Sequence, residues 1–138
     1  MDFVVDASVA MGWLLASQAS LMTVAAENAL AHNNIGWVPS HFGIEVARTL
    51  RNQERRGLIT PEIVDNALTH LRELSLKQDI GATIAELATI VALARRHTLR
   101  VVDAGYLELA LRLGLPLATR DMSLARAAGA AGVPLFGP

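Results

Sequence analysis

Four acidic residues in this chain stand where a carboxylate calls for a chemical explanation. Asp6 directly follows the apolar run Phe3–Val5 and precedes a segment with the composition of a helix. A carboxylate beside buried β-branched residues is unfavourable in free energy unless it is paired or coordinated. Asp103 follows an Arg-Val-Val segment, Asp121 ends the run Ala-Thr-Arg-Asp, and Glu45 lies in a stretch of helical periodicity. We treat the four as candidates for one site.

A cluster of carboxylates is stable only if something offsets its negative charge. Carboxylates within a few Å of one another raise each other's pKa values unless a cation lies among them. Oxygen ligands without cysteine suit hard divalent ions, which points to Mg²⁺ or Mn²⁺. Such an ion lowers the pKa of a bound water and neutralises charge that develops on a phosphoryl group. The four acids therefore predict metal-dependent hydrolysis of a phosphodiester.

Three of these acids also have an interpretation that involves no chemistry. Asp103 and Asp121 both stand where a side chain is able to cap a helix N-terminus. Glu45, taken alone, fits a solvated helical position. Asp6 lacks such an explanation because it borders the predicted core. The sequence leaves these alternatives open, and it is the set of four together that favours a site.

Strands and helices alternate along the chain. Strands are predicted over 2–5, 35–39, 115–119 and 133–136, and helices over 8–16, 21–32, 41–56, 61–74, 83–97 and 123–132, with another beginning near Asp103. Parallel strands need crossovers of about a dozen residues or more, which these helices supply. The fold class is therefore α/β, with helices on both faces of a parallel sheet. In such sheets the ligand crevice lies beyond the carboxyl ends of the strands, where Asp6 and Asp121 are expected.

Local signals predict the ends of several helices. Ser40 is expected to cap the third helix, and Thr60 caps the fourth, so that these two helices form a hairpin. A capping box is expected at positions 83 and 86. The helix near position 103 is apolar nearly all round and is expected to be central, with Glu108 and Arg112 as its exposed i,i+4 pair.

Composition limits the class of protein. The 138 residues, of which 52% are hydrophobic and none is cysteine, suit one domain over 1–138 without disulfides or thiolate metal sites. The net charge of -1 gives no global attraction to nucleic acid. We find neither a signal-peptide pattern nor an apolar run of roughly 20 residues, and we expect a cytoplasmic protein without a membrane segment.

Four segments, in order, resemble the acidic motifs of the PIN-domain nucleases: VVDASV, GIEVARTLR, VVDAGYLELA and LATRDMSLARAAGAAGVPLF. The length is similar to that of the VapC toxins of bacterial toxin–antitoxin pairs, and the resemblance covers nearly the whole chain. It implies a PIN-like, Rossmann-like three-layer α/β/α sandwich with a short parallel sheet. It also implies Mg²⁺- or Mn²⁺-dependent endoribonuclease activity and an antitoxin whose C-terminal segment enters a groove of the toxin.

The same resemblance assigns roles to individual residues. The residues that match the family's metal-binding carboxylates are Asp6, Glu45, Asp103 and Asp121. Ser8 and Thr119 match small hydroxyl residues that support the site by hydrogen bonds. The chain departs from the family at Val102 and Gly105, where related sequences often have an aromatic residue and a larger small residue.

The resulting hypothesis assigns metal binding to the three aspartates, while Glu45 positions or deprotonates the attacking water. Hydrolysis then leaves a 5′-phosphate and a 3′-hydroxyl. RNA contacts are expected for Arg48 and Arg120, which lie close in sequence to Glu45 and Asp121 and carry guanidinium groups suited to phosphate. A homodimer through apolar helices is expected from the resemblance and from the hydrophobic surplus. The alternative is a catalytically silent module that keeps the fold and acts only through a protein partner.

Overall fold

Four parallel strands form the sheet at the centre of the structure. The computed structural model describes residues 1–81 and 83–137. Within these ranges the strands are β1 (Phe3–Val5), β2 (Gly36–Val38), β3 (Leu76–Gln78) and β4 (Leu117–Ala118). The helices are α1 (Ala7–Leu14), α2 (Leu21–Ala31), α3 (Phe42–Arg55), α4 (Pro61–Glu73), α5 (Ile84–His97), α6 (Val101–Leu113) and α7 (Met122–Ala130). The sheet order β3-β2-β1-β4, with every pairing parallel, confirms the predicted α/β class and the three-layer α/β/α arrangement.

The core is built on β1 and α6. All three residues of β1 are fully buried, as expected for an apolar run in a sheet covered on both faces. Residues 103–110 of α6 are buried too, which confirms that this helix is central. Because α6 contacts both β1 and β4, it brings its first turn to the carboxyl ends of these strands. No helix in the described ranges is long and apolar enough to cross a membrane.

Two predicted helix N-termini, at Thr60 and at Thr83, are confirmed by capping hydrogen bonds. The hydroxyl of Thr60 accepts a hydrogen bond from the Ile63 amide (3.2 Å), and the capping box at positions 83 and 86 is complete. The prediction for Ser40 was wrong, because α3 has His41 as its N-cap. A turn in which the Phe42 amide donates to the Pro39 carbonyl (3.1 Å) delays the start of the helix.

Two strand predictions need correction. β3 was missed, because its three residues are mostly exposed and show no apolar pattern. Conversely, the segment predicted as a strand over 133–136 forms only an isolated bridge between Leu117 and Leu135. Both segments lie at the edges of the sheet, where pairing is decided by tertiary position more than by composition.

The pair Glu108–Arg112 forms as predicted, but only Arg112 is exposed. The Arg112 Nε lies 2.7 Å from Glu108 Oε1, and Glu108 is buried at 6% exposure. Arg112 also donates to both carboxylate oxygens of Asp79, which follows β3. Its Nε also lies 3.8 Å from Glu86 Oε1 of α5, so this exposed arginine joins α5, α6 and the segment after β3.

Gly12 marks a close approach between α1 and α2. A Cβ added at Gly12 would lie 2.6 Å from Thr23 Cβ and 2.7 Å from Thr23 Oγ1, and Thr23 is fully buried and held by the capping box with Ser20. We expect Gly12→Ala to lower the free energy of unfolding by about 1–3 kcal/mol, because the two helices must separate. Gly129→Ala is the control, since an added Cβ there meets open space and alanine favours the helix by up to about 1 kcal/mol. Urea denaturation measures both, and equal effects of the two substitutions would contradict the close approach.

Candidate active site

The four predicted acids line one open cleft beside the carboxyl ends of β1 and β4. The cleft has a volume of about 220 Å³, and Arg48 and Arg100 line it as well. The acids that meet there are Asp6, Glu45, Asp103 and Asp121. They come from the β1–α1 junction, α3, α6 and the N-cap of α7, so residues far apart in sequence converge only through the parallel topology.

Asp6 is the most buried of the four acids, at 4% exposure. Its amide donates to the Ala118 carbonyl of β4 (3.0 Å), which fixes its backbone at the end of the sheet. The hydroxyls of Ser8 (2.8 Å) and Thr119 (2.7 Å) both donate to its Oδ2. Burial raises the pKa of Asp6, the two hydroxyls oppose this, and the charges of Glu45 and Asp103 raise it further.

The two hydroxyls also tie Asp6 to the turn that carries Asp121. Thr119 Oγ1 accepts from the Asp121 amide (3.0 Å), and Ser8 Oγ accepts from the Arg120 amide (3.0 Å). Both hydroxyls therefore donate to Asp6 and accept from backbone amides of the turn that carries Asp121. Asp121 is the N-cap of α7, as one of the two interpretations of the sequence had it, and its Oδ1 accepts from the Leu124 amide (3.0 Å).

The elevated pKa of Asp6 makes this carboxylate a cost to stability in the metal-free protein. Above the ordinary value of 3.8, the unfolded chain releases the proton more readily than the folded one, so stability is lost as the pH rises through the folded pKa. We expect Asp6→Asn to raise the melting temperature by a few degrees at neutral pH in chelator, because the amide oxygen still accepts from both hydroxyls. The gain should shrink near pH 3.8. Excess Mn²⁺ should stabilise the parent chain more than the variant, and a lower melting temperature of the variant in chelator would contradict this account.

Asp103 lies in the first turn of α6 and does not cap it. The N-cap is Arg100, because α6 begins at Val101, two residues earlier than expected. The guanidinium of Arg100 instead holds the carboxylate, with Nε 2.9 Å from Oδ2 and Nη2 3.2 Å from Oδ1. The hydrogen bond to Asp103 raises the pKa of Arg100, and the charges of Glu45 and Asp121 add to this.

Glu45 lies one turn into α3, and Tyr106 of α6 holds its side chain. The fully buried Tyr106 donates its hydroxyl to Glu45 Oε1 (2.7 Å), and burial together with this bond raises the pKa of Tyr106. His41 packs edge-on against the Tyr106 ring, with ring centroids 5.1 Å apart. Its Nε2 donates to the Val102 carbonyl (3.0 Å). Gly105 leaves room for this ring, since a Cβ there would lie 2.5 Å from His41 Cε1.

Sequence reasoning did not single out Tyr106 or Arg100. The helix near position 103 was described only as apolar nearly all round, and RNA contacts were assigned to Arg48 and Arg120 alone. The spacing of Tyr106 and Arg100 from Asp103 could have indicated a role in the site, because residues three positions apart on a helix lie on the same face. Of the two arginines expected to contact RNA, Arg48 lines the cleft. The guanidinium of Arg120 donates to the Gln18 carbonyl.

The donor set suits a hard divalent ion in its chemistry, since four carboxylates offer only oxygen ligands. Within the described residues, no three acidic or histidine side chains stand close enough together to share an ion as they are. The contacts of the carboxylates explain this: Asp103 faces Arg100, and Glu45 faces Tyr106. Of the groups that contact these carboxylates, Arg100 is the most exposed, with 64% of its side chain accessible to solvent.

Known proteins resemble the chain over most of its length. The family model described as PIN domain matches residues 3–130. The chain is 41% identical over 90 residues to Ribonuclease VapC3 of Mycobacterium tuberculosis strain H37Rv, with 64% of this chain and 62% of that protein aligned. Ribonuclease VapC3 of Pyrobaculum aerophilum is 36% identical over 81 residues, with 59% of this chain and 62% of that protein aligned. The matches thus span less than two thirds of these relatives.

Solved structures share the fold. Mycobacterium tuberculosis VapC20, described as a sarcin-ricin loop cleaving toxin, superposes with a TM-score of 0.69 at 16% identity, covering 99% of this chain and 100% of that one. Rickettsia felis VapBC2, described as bound to a DNA fragment from their promoter, gives a TM-score of 0.69 at 13% identity, with coverages of 99% and 98%. The family match, which extends from β1 to the last residue of α7, leads to one conclusion: the chain belongs to the PIN domain family.

Proposed function

We propose that the chain is a Mg²⁺- or Mn²⁺-dependent endoribonuclease and the toxin of a toxin–antitoxin pair. The observation that carries this proposal is the convergence of four carboxylates from four separate elements in one cleft. The relatives that are named ribonucleases support the activity. The structural neighbour described as a toxin supports the biological role.

In the proposed mechanism, Asp6, Asp103 and Asp121 would hold the ion, and Glu45 lines the same cleft. The ion would supply a bound water of lowered pKa and positive charge beside the phosphoryl oxygens. Glu45, held by the Tyr106 hydroxyl, orients the attacking water and accepts its proton. The bond between phosphorus and the 3′-oxygen breaks, and the 3′-oxygen takes up a proton from water, so that the products are a 5′-phosphate and a 3′-hydroxyl.

The remaining cleft residues support the acids and the substrate. Ser8 and Thr119 keep Asp6 Oδ2 in place through their hydroxyls. Arg48 contacts an RNA phosphate from the wall of the cleft. Arg120 does so from the turn beside Asp121, once its guanidinium leaves the Gln18 carbonyl.

The proposal includes protein partners. A cognate antitoxin is supported by the structural neighbour VapBC2, which is a toxin–antitoxin complex described as bound to promoter DNA. We further propose a cytoplasmic homodimer, supported by exposed apolar side chains on several helices, such as Leu68 of α4 and Leu111 of α6.

One observation favours a second function. Arg100 already neutralises Asp103 in the structure, which also suits a catalytically silent module that acts through a partner. Mn²⁺ binding distinguishes the two functions. A metal-dependent nuclease should bind Mn²⁺ at the cleft, whereas a silent module should keep the ion pair between Arg100 and Asp103 and bind no Mn²⁺.

The test is a cleavage experiment on total RNA with purified, antitoxin-free protein. Samples with Mg²⁺, with Mn²⁺ and with chelator are compared, and new 5′ ends are mapped by sequencing. Discrete ends that carry a 5′-phosphate and require the metal are the expected result. Ends that persist in chelator would refute the metal dependence, and no ends under any condition would favour the silent module.

A further inference from the structure

We infer that Arg100 is a catalytic residue that exchanges partners. In the metal-free protein it neutralises Asp103, and when a divalent ion takes that carboxylate it contacts the RNA phosphodiester. This inference rests on the proposed function and extends it to a residue outside the four acidic motifs.

The geometry of the pair favours such an exchange. Arg100 bonds both oxygens of Asp103, at 2.9 and 3.2 Å. The guanidinium fork takes one lone pair on each oxygen, so an ion that binds the carboxylate from the same side replaces the guanidinium. The aspartate side chain is only 10% exposed, whereas that of the arginine is 64% exposed. The arginine is thus the partner that moves.

A displaced Arg100 remains beside the substrate. Its backbone is the N-cap of α6, three residues before Asp103, and its side chain lines the same cleft as Asp6 and Asp121. A phosphodiester bound at an ion in this cleft lies within reach of that side chain. The planar guanidinium fork matches two phosphate oxygens. The same positive group therefore pairs with Asp103 in the metal-free protein and with the phosphodiester once the ion is bound.

An ordinary ion pair of the same spacing lies elsewhere on the surface. Arg51 donates to Glu54 at 2.9 Å on α3, also over three residues, and its side chain is exposed to the same 64%. This pair makes one bond instead of two, and Arg51 is not among the residues that line the cleft. Arg51→Ala is therefore the matched control for Arg100→Ala.

The first measurement is calorimetric titration of metal-free protein with Mn²⁺ alone. An exposed ion pair contributes little, so we expect Arg100→Ala to tighten the Kd for Mn²⁺ by about 2- to 5-fold. Arg100→Lys keeps the charge but loses the fork, and its Kd should lie between those of the parent chain and Arg100→Ala. Arg51→Ala should match the parent chain. Thermal melts verify that all variants are folded.

The second measurement is fluorescence anisotropy of a labelled single-stranded RNA oligonucleotide, in a Glu45→Gln background that slows hydrolysis. With Mn²⁺ present, Arg100→Ala should weaken RNA binding and lower the salt slope by about one phosphate contact. In chelator the same substitution should not weaken binding, because Arg100 is then occupied by Asp103. This metal-dependent difference is specific to partner exchange.

The remaining outcomes overturn the inference, either alone or together with the proposed function. Equal behaviour of Arg100→Ala and Arg51→Ala overturns the inference, while Mn²⁺ binding by the parent chain still supports the proposed function. Tighter Mn²⁺ binding without a metal-dependent effect on RNA affinity also overturns it, since Arg100 would then only compete with the ion. If neither the parent chain nor the variant binds Mn²⁺, the proposed function fails and the inference fails with it.

Discussion

Asp103→Asn is expected to lower the rate of metal-dependent RNA cleavage by at least about 100-fold, since even an outer-shell partner of a metal site contributes about 10- to 100-fold. Asparagine keeps the shape and one oxygen but loses the charge that a divalent ion needs in its ligand. Asp103 is buried at 7% exposure and shares the cleft with Asp6 and Glu45. Loss of its charge therefore removes binding energy for the ion at the centre of the site.

The same substitution should leave the protein folded. It removes the ion pair with Arg100, but that arginine is largely exposed, and exposed pairs contribute about 0–1 kcal/mol. It also relieves repulsion within the acidic cleft. Initial rates in Mg²⁺ and Mn²⁺, together with a thermal melt, measure both effects. Asp65→Asn, at an exposed position of α4, is the control, and a variant at Asp103 that cleaves as fast as this control would refute the metal role.

Tyr106→Phe is expected to reduce kcat by about 10- to 100-fold, the range for a partner that orients a group of a metal site. The hydroxyl donates to Glu45 Oε1 at 2.7 Å, and without it the carboxylate that we propose to orient the attacking water loses its fixed position. Tyr106 is fully buried and does not reach the substrate. The KM for RNA should therefore stay unchanged, which separates a positioning residue from a binding residue.

The stability cost of Tyr106→Phe should be small. Phenylalanine keeps the ring that packs against His41, and the lost hydrogen bond amounts to about 1 kcal/mol. Steady-state kinetics and urea denaturation on the same preparations give both numbers. Thr69→Val removes an exposed hydroxyl on α4 that bonds only a backbone carbonyl and serves as the control. A rise in KM with unchanged kcat would assign Tyr106 to RNA binding instead.

Much of the architecture follows from local sequence. The apolar run of β1, the cap at Thr60 and the capping box at Thr83 are properties of a few consecutive residues, and each formed as predicted. The α/β class follows from the alternation of such segments, because parallel strands require the crossovers that the helices provide. The positions of the four acids singled them out, and the family motifs added the roles that we propose for them.

Tertiary structure decided the features that depend on partners distant in sequence. β3 exists because it pairs with β2, not because its own residues favour a strand. Glu108 is buried where α5 packs against α6. The bond from Tyr106 to Glu45 joins residues 61 positions apart.

The physical reason is the range of the interactions involved. Hydrophobic periodicity and capping act over three or four residues, so the sequence by itself determines where most elements begin and end. Side-chain partners within the cleft depend on how those elements pack and on which charges then meet in a partly dehydrated space. The sequence therefore determined which acids this protein brings to the strand ends, and only the tertiary structure decided which groups hold each of them there.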